Sequence, residues 1–413
     1  MRDAMFLGQT INKIKAHNMR AVLLGLLYNA PTYRTQLARD TSLSTTTITN
    51  LVDELMELGI VKQGGPMTPE GKRRVGRPRK SLSLVPDARH ALGIHLGAGR
   101  YRVGLANLEG EIVHERAGAF SRDEPQVVLE SILSVTEEAI AASGVDREQI
   151  IGIGLGAAGL VDHQRGVITF SPNLGWRNVP VGGFFSEHLG LPTVVENNVA
   201  AMALGESFFG VGRGFRSLIF VYSRMGLGAG IVVDNRILRG NSIAAGEIGH
   251  TIMVADGGES CRCGNAGCLE TLVSERALIA RARELAEERA DTWLAQQIRY
   301  GSDGLTVDDV FEAARQDDIC AETAVEEVSC YFGYALANLI NLINPELILL
   351  GGMFAQGDDL FIPLLERTIR ETAFEALGSH VELRSSGFGA QASIVGAATL
   401  ALTNLFYLDP EEL

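Results

Sequence analysis

Four residues of the chain have the types and spacing to hold a metal ion. His250 is followed by Cys261-x-Cys263, and Cys268 closes the set across Gly264-Asn265-Ala266-Gly267. One imidazole and three thiolates make a tetrahedral zinc set, and with every position filled by protein the ion would be structural. The glycines let so short a knuckle turn back on itself. Clustered thiols in a reducing compartment read as metal binding rather than as a disulfide framework. Cys320 and Cys330 lie outside the pattern and read as core residues on or beside a helix.

A second constellation is scattered. Asn173 lies in the loop "SPNLGW", and Asn197 and Asn198 in "VVENNVAAMALGE", where an apolar strand gives way to a helix. The segments "GEIGH" and "ESCRCGNAGCLE" add Glu and His side chains on turns after strands. Such groups suit a ligand rich in hydroxyls, because each can donate to or accept from an OH. Buried polar groups cost free energy unless paired, so "ENN" needs a purpose: helix cap, ligand contact or catalyst.

A third group is basic. Lys72, Arg73, Arg74, Arg77, Arg79 and Lys80 surround Gly76-Arg77-Pro78-Arg79, a segment held extended by its proline. Arginines on such a segment can enter a narrow minor groove. Upstream, residues 19–30 show apolar spacing of a helix that Pro31 ends. Thr35 to Asp40 reads as the next helix, and "TSLS" as a tight turn. Ser44 caps the following helix, whose buried side is Ile48, Leu51, Val52, Leu55 and Leu58. Its first turn is Thr45, Thr46 and Thr47, with Thr49 and Asn50 after it. Short hydroxyl and amide side chains are poor helix formers. At the N-terminus of a recognition helix they would face base edges and phosphates. Two strands, "IVKQGG" and the end of "GKRRVGRPRKSLSLV", complete a winged helix-turn-helix.

From "VPDARHALGI" onward apolar strands alternate with helices. "HALGIHLGAGRYRVGLANLEGEIV" reads as three hairpin-linked strands, and "IIGIGLGAAGLVD" as a buried strand. A second round starts at "SLIFVYSRMGLGAGIVVDNRILRG", and "YALANLINLINPELILLGGMF" reads as a helix feeding a buried strand. This is the pattern of a duplicated α/β unit whose two lobes enclose a cleft. Charge divides the same way. Residues 1–90 hold 14 Lys+Arg against 7 Asp+Glu, while the rest carries a balance of −21. A basic head on an acidic body points the head at nucleic acid. No uncharged apolar run of membrane length is expected, nor a signal peptide, so the expected compartment is the cytoplasm.

With these segments in view, the chain resembles the ROK family of repressors, open reading frames and kinases. "CRCGNAGCLE" fits that family's zinc signature, "EIGH" its companion, residues 14–61 its repressors' DNA-binding head, and "GAQASIVGAATLAL" its C-terminal helix. The resemblance implies two actin-like (ribonuclease-H-like) α/β lobes after a winged helix-turn-helix. The head would be residues 1–85, the first lobe 86–198 plus about 388–413, and the second lobe 199–387. It also implies a monosaccharide held by Asn173, Asn197, Asn198, Glu247, His250 and Glu270, with His250 touching both zinc and sugar. The DNA contacts would be Ser44, Thr45, Thr46, Thr47, Asn50, Arg73, Arg74, Arg77, Arg79 and Lys80.

The family holds sugar kinases as well as regulators, and the departures here decide between them. Its kinases begin the first phosphate hairpin with Asp-x-Gly-Gly-Thr; this chain has His95-Leu96-Gly97-Ala98-Gly99. Their second loop reads Gly-Thr-Gly-x-Gly; here it is Arg224-Met225-Gly226-Leu227-Gly228. Their general base is an Asp where this chain has Asn198, and an amide cannot take a hydroxyl proton at neutral pH. Losing a positioned base costs about 10²–10⁴ in rate. The expectation is therefore a non-enzymatic regulator, a dimer or tetramer on an inverted-repeat operator, responsive to a monosaccharide. An ATP-dependent sugar kinase is the alternative, and a scaffold acting through the acidic body a third.

Overall fold

The computed structural model describes residues 11–67, 79–121, 124–241, 244–289, 291–300 and 304–408. The head begins with α1 (Ile11–Asn29), α2 (Arg34–Asp40) and α3 (Thr45–Glu57). α1 starts before the apolar run at 19–30, and residues 13–17 of its first turns are exposed. Ser44 caps α3, its Oγ accepting from the Thr47 backbone N–H at 3.1 Å. Ile48, Leu51, Val52 and Leu55 are buried as expected. Leu58 is not. It is the C-cap residue, 51% exposed, and the chain turns at Gly59 so that Ile60 enters the core instead. β1 (Val61–Met67) and β2 (Arg79–Leu84) pair antiparallel, Val61 opposite Leu84 and Met67 opposite Arg79. Lys72, Arg73, Arg74 and Arg77 lie outside the described residues.

A short turn at Pro86–Ala88 carries the chain from β2 into the body. There β3 (His90–Gly97), β4 (Arg100–Asn107) and β5 (Ile112–Ala119) run antiparallel, as the two hairpin turns require. After α4 (Pro125–Ser143), β6 (Ile150–Ala157) joins β3 in parallel. β7 (Leu160–Asp162), β8 (Val167–Ser171) and β9 (Trp176–Val179) form a small side sheet. Following α5 (Val181–Leu189), β10 (Thr193–Asn197) lies parallel to β6. The order is β10-β6-β3-β4-β5.

α6 (Asn198–Phe209) crosses to a second sheet built the same way. β11 (Ser217–Ser223), β12 (Leu227–Val233) and β13 (Arg236–Ile237) are antiparallel. A helical layer follows: α7 (Leu269–Leu272), α8 (Glu275–Glu288), α9 (Trp293–Tyr300), α10 (Val307–Arg315) and α11 (Ile319–Ile343). Next come β14 (Leu347–Gly352), parallel to β11, then α12 (Met353–Gln356), α13 (Asp358–Thr372) and α14 (Glu375–Gly378). β15 (Glu382–Ser385) lies parallel to β14, and α15 (Ala392–Leu402) follows. The order β13-β12-β11-β14-β15 repeats the first sheet's plan of three antiparallel strands and two parallel ones.

Two helices join these sheets. α15 lies on β3 and β6, α6 lies on β11 and β12, and the pair pack on each other. They cross where side chains are absent: a Cβ on Gly396 would sit 2.6 Å from the Ala201 carbonyl oxygen, and one on Gly205 would sit 3.0 Å from Gly396 Cα. Residues 389–407 form a helical stretch of nineteen residues without a charge, which the sequence reading passed over. Its length and composition are explained by its place: every α15 residue but Ser393 is buried between the sheets and α6. The same packing gives a stability prediction. A Cβ on Gly154 would meet the Ala397 carbonyl oxygen at 1.8 Å, backbone against backbone. Gly154→Ala should destabilise the body at the upper end of the ~1–3 kcal/mol cost of overpacking. An unchanged urea midpoint would show that α15 does not press on β6.

Candidate ligand and metal site

The strand ends and turns of both sheets converge on one cavity of about 440 Å³. That volume lies in the range of small-molecule sites. All six residues assigned to the sugar line it: Asn173, Asn197, Asn198, Glu247, His250 and Glu270. They arrive from four separate segments, which no local pattern would bring together.

The two asparagines divide the work between helix cap and cavity wall. Asn197 is the N-cap: its Oδ1 accepts from the N–H groups of Val199 at 2.8 Å and Ala200 at 3.2 Å. Its Nδ2 donates to the Gly159 carbonyl at 3.0 Å. Its amide is thereby fixed, with one N–H left for a ligand. Asn198 is the first residue of α6, half-buried on the cavity wall, and its amide has no intramolecular partner among the described residues. Glu196, the third polar residue of the stretch, belongs to neither task. It is buried and pairs with the Arg239 Nε at 2.7 Å, tying β10 to the segment after β13.

Glu247 opens onto the cavity and is exposed to the solvent that fills it. The protein packed round its carboxyl nevertheless raises it above the usual range, opposed by His250 and reinforced by Glu270. Glu270 Oε2 accepts from the Leu227 backbone N–H at 3.0 Å, which fixes the β11–β12 turn against the knuckle.

The predicted metal ligands converge. The donor atoms of His250, Cys261, Cys263 and Cys268 all lie within 4.8 Å of one another. His250 Nδ1 is 3.6 Å from Cys261 Sγ, and the sulfurs of Cys263 and Cys268 are 3.6 Å apart. Tetrahedral ligation with zinc–sulfur bonds near 2.3 Å sets ligand separations of roughly 3.7 Å, so the donor set fits zinc. Burial raises the Cys268 thiol to about 12, with the neighbouring thiols adding to the shift. A bound cation reverses that penalty. The knuckle is closed by backbone bonds, Cys261 N–H to Asn265 O at 2.7 Å and Gly267 N–H to Glu259 O at 2.8 Å. Gly267 is obligatory there, since its φ is 72° and a Cβ would lie 1.9 Å from the Val254 carbonyl oxygen.

One residue of this knuckle escaped the sequence reading. Arg262, the spacer of Cys261-x-Cys263, donates to Asn173 Oδ1 at 3.1 Å and to the Met225 carbonyl at 3.2 Å. It thus reaches across the cleft from the second lobe to the first. A metal motif treats its spacer positions as filler, so nothing in the sequence marked it.

In the head, Ser44, Thr45, Thr46 and Asn50 are exposed on the start of α3, while Thr47 is half-buried with its Oγ1 at 2.9 Å from Ser44 Oγ. Arg34 braces α3 through Asp53 at 2.6 Å and reaches Gln63 on β1 at 3.1 Å. Arg79 lies over the Tyr33 ring at 4.5 Å and Lys80 is exposed.

Residues 91–404 match the model of the ROK family. The chain is 30% identical over 397 residues to a xylose repressor of Caldicellulosiruptor bescii, covering 95% of this chain and 97% of that one. Its structure is similar to that of a ROK family transcriptional regulator homologous to Escherichia coli Mlc, with a TM-score of 0.80, 29% identity and coverage of 94% and 96%. It is also similar to a ROK family glucokinase from Streptomyces griseus solved with glucose and AMPPNP. There the TM-score is 0.68 and the identity 31%, and the match covers 98% of the kinase but 75% of this chain.

Proposed function

Because the chain belongs to the ROK family, we propose that it is a sugar-responsive, DNA-binding transcriptional regulator, a repressor released from its operator by a monosaccharide or a derivative of one. The observation that carries this reading is coverage. The repressor and the regulator align along nearly the whole chain, head included, whereas the glucokinase accounts for three quarters of it. The exposed first turn of α3 supports major-groove reading by Ser44, Thr45, Thr46, Thr47 and Asn50, and the wing cations support phosphate and minor-groove contact. Two copies on an inverted repeat would set these helices one or more helical turns apart.

The cavity wall supports binding without phosphoryl transfer. Asn198 stands where a kinase needs a carboxylate, and an amide there can hydrogen-bond a hydroxyl but not deprotonate it. His250, Cys261, Cys263 and Cys268 would hold a structural zinc whose role is to fix the knuckle, and with it His250, Arg262 and Glu270, around the ligand.

The coupling we infer runs along α6. Its N-cap Asn197 and its first residue Asn198 are on the cavity wall. Its other end carries Phe208, whose ring is 6.3 Å from Tyr28 of α1. Beyond it, Arg213 donates to the Leu27 carbonyl and lies over the Tyr28 ring at 5.1 Å. Glu206 anchors this end by accepting from Val211 N–H at 2.9 Å and Gly387 N–H at 3.1 Å. A ligand that draws the lobes together at one end of a rigid helix therefore displaces the head at the other.

The test is operator binding by fluorescence anisotropy with and without a panel of monosaccharides, alongside ATP consumption with the same sugars. Sugar-dependent release without ATP turnover is expected; rapid sugar phosphorylation would overturn the reading in favour of a kinase. Within the same assay, Glu247→Gln should weaken sugar binding about tenfold, the scale of one hydrogen bond to a charged group. Its operator affinity without sugar should be unchanged. Equal sugar affinity in the variant would remove Glu247 from the site.

A further inference from the structure

One corner of the cavity carries charge that the monosaccharide contacts do not use. His95 and Arg224 start the two glycine-rich turns, Arg100 starts β4, and all three line the cavity. In the β3–β4 ladder His95 pairs with Arg102 and Gly97 with Arg100. Residues 95, 97, 100 and 102 therefore share one face of the hairpin. Arg102 is neutralised by Glu115 at 2.6 Å. Arg100 and Arg224 are exposed and form no ion pair among the described residues. The acid that feels them both is Glu275, yet burial raises its carboxyl in spite of their pull.

His95 is the second mark of a ligand. It is 8% exposed, and its Nδ1 has no hydrogen-bond partner among the described residues. Burial first, and then Arg102, Arg100 and Arg224, lower its pKa to about 4. At neutral pH it is an uncharged imidazole that offers a ring N–H. A Cβ at Gly97 would stand 2.9 Å from His95 Nε2, so the glycine leaves the ring unscreened on that side. A buried polar atom without a partner, on a cavity wall that two guanidinium groups without an ion pair also line, is a socket for an anion. Guanidinium groups match phosphate oxygens in geometry as well as charge.

We propose that His95, Arg100 and Arg224 form an anion subsite for the phosphate group of a phosphorylated sugar, so that the effector is a sugar phosphate rather than the free sugar. The proposal rests on the sugar-sensor reading above, since the same cavity supplies the hydroxyl contacts. A nucleotide presents the same phosphate chemistry, and the experiment separates the two sources.

Inorganic phosphate, added at constant ionic strength, is the first probe because it does not depend on which sugar is sensed. It should raise the Tm of the full-length protein and leave that of Arg100→Ala/Arg224→Ala unmoved. Arg116→Ala/Arg370→Ala, with the same loss of charge on exposed surface, should respond as the wild type does. Calorimetry with glucose, xylose and N-acetylglucosamine, each free and as its terminal phosphate ester, is the second arm. One ester should bind at least about tenfold tighter than its parent sugar. The Arg100→Ala/Arg224→Ala variant should lose that advantage while holding the parent sugar within about twofold, which also reports that it folds. Equal phosphate stabilisation of wild type and variant overturns the subsite, as does a free sugar binding as tightly as its ester. In either case a bound free sugar leaves the sensor reading intact. Tight AMPPNP binding lost in the variant would assign the corner to a nucleotide and overturn the proposal. If phosphate stabilises the protein but no sugar binds in either form, the sugar reading falls and this proposal with it.

Discussion

Cys268→Ser should release the metal from the knuckle and remove nearly all sugar affinity, while operator binding by the head persists. Cys268 is fully buried, so the site cannot recruit water in its place without opening. It is also the N-cap residue of α7, and Glu270 lies in the first turn of that helix. Three groups facing the cavity depend on the knuckle. His250 supplies a ligand atom, Glu270 holds the Leu227 N–H, and Arg262 spans to Asn173. Structural zinc contributes roughly 10–16 kcal/mol of binding free energy in small zinc-folded peptides, an upper bound for a knuckle braced by a larger domain. Losing the placement of two charged hydrogen-bonding groups at ~1.5–3 kcal/mol each predicts sugar binding about a hundredfold weaker or worse. Zinc content by mass spectrometry should fall from one ion per chain toward none. Operator affinity should stay within about twofold, since no ligand residue touches the head. A metal-free variant that still binds sugar at wild-type affinity would strip the knuckle of this role.

How much of this was legible in the sequence depends on the range of the interaction. The β3–β4–β5 and β11–β12 hairpins were readable because each is set by neighbouring residues and its turn glycines. The cluster of His250 with three cysteines was readable because three of its four members fall within eight positions, Cys261 to Cys268. Which of Asn197 and Asn198 caps α6 is a one-residue boundary question that periodicity cannot resolve. Leu58 was placed in the core because it keeps the helical spacing, but the helix had already ended. The convergence of His95 with Arg100 and Arg224 was beyond reach. Each departure from the kinase pattern could be seen singly, but that they meet at one corner is a property of two sheets packed across α6 and α15. The same is true of Arg213 and Tyr28, which are 185 positions apart and meet only because α6 runs from the cavity to the head.

That last contact yields the second large effect. Arg213→Ala should leave the protein able to bind sugar and able to bind operator, but should abolish the influence of one on the other. Arg213 joins the body to α1 through the Leu27 carbonyl and the Tyr28 ring, and among the described residues it neither lines the cavity nor hydrogen-bonds to α3. Its side chain is exposed, so truncation removes the joint without opening a core cavity. The loop that carries it is held by Glu206, whose Oε2 accepts from Val211 N–H, and by the Arg213 N–H to Gly210 O bond at 3.2 Å, so motion of α6 is passed on rather than absorbed. If sugar shifts operator affinity by a coupling free energy of ~1–3 kcal/mol, the wild type should show about 5–150-fold release. Linkage requires the operator to weaken sugar binding by the same factor. In Arg213→Ala both factors should collapse toward one, while the sugar Kd of the free protein and the operator Kd without sugar stay within about twofold. The paired measurement matters because a variant that was merely unstable would lose affinity for both ligands, not the reciprocity between them. Full sugar-driven release by Arg213→Ala would mean that the signal leaves the body by another route, through the Pro86–Ala88 connection or through movement of one copy of the chain against another.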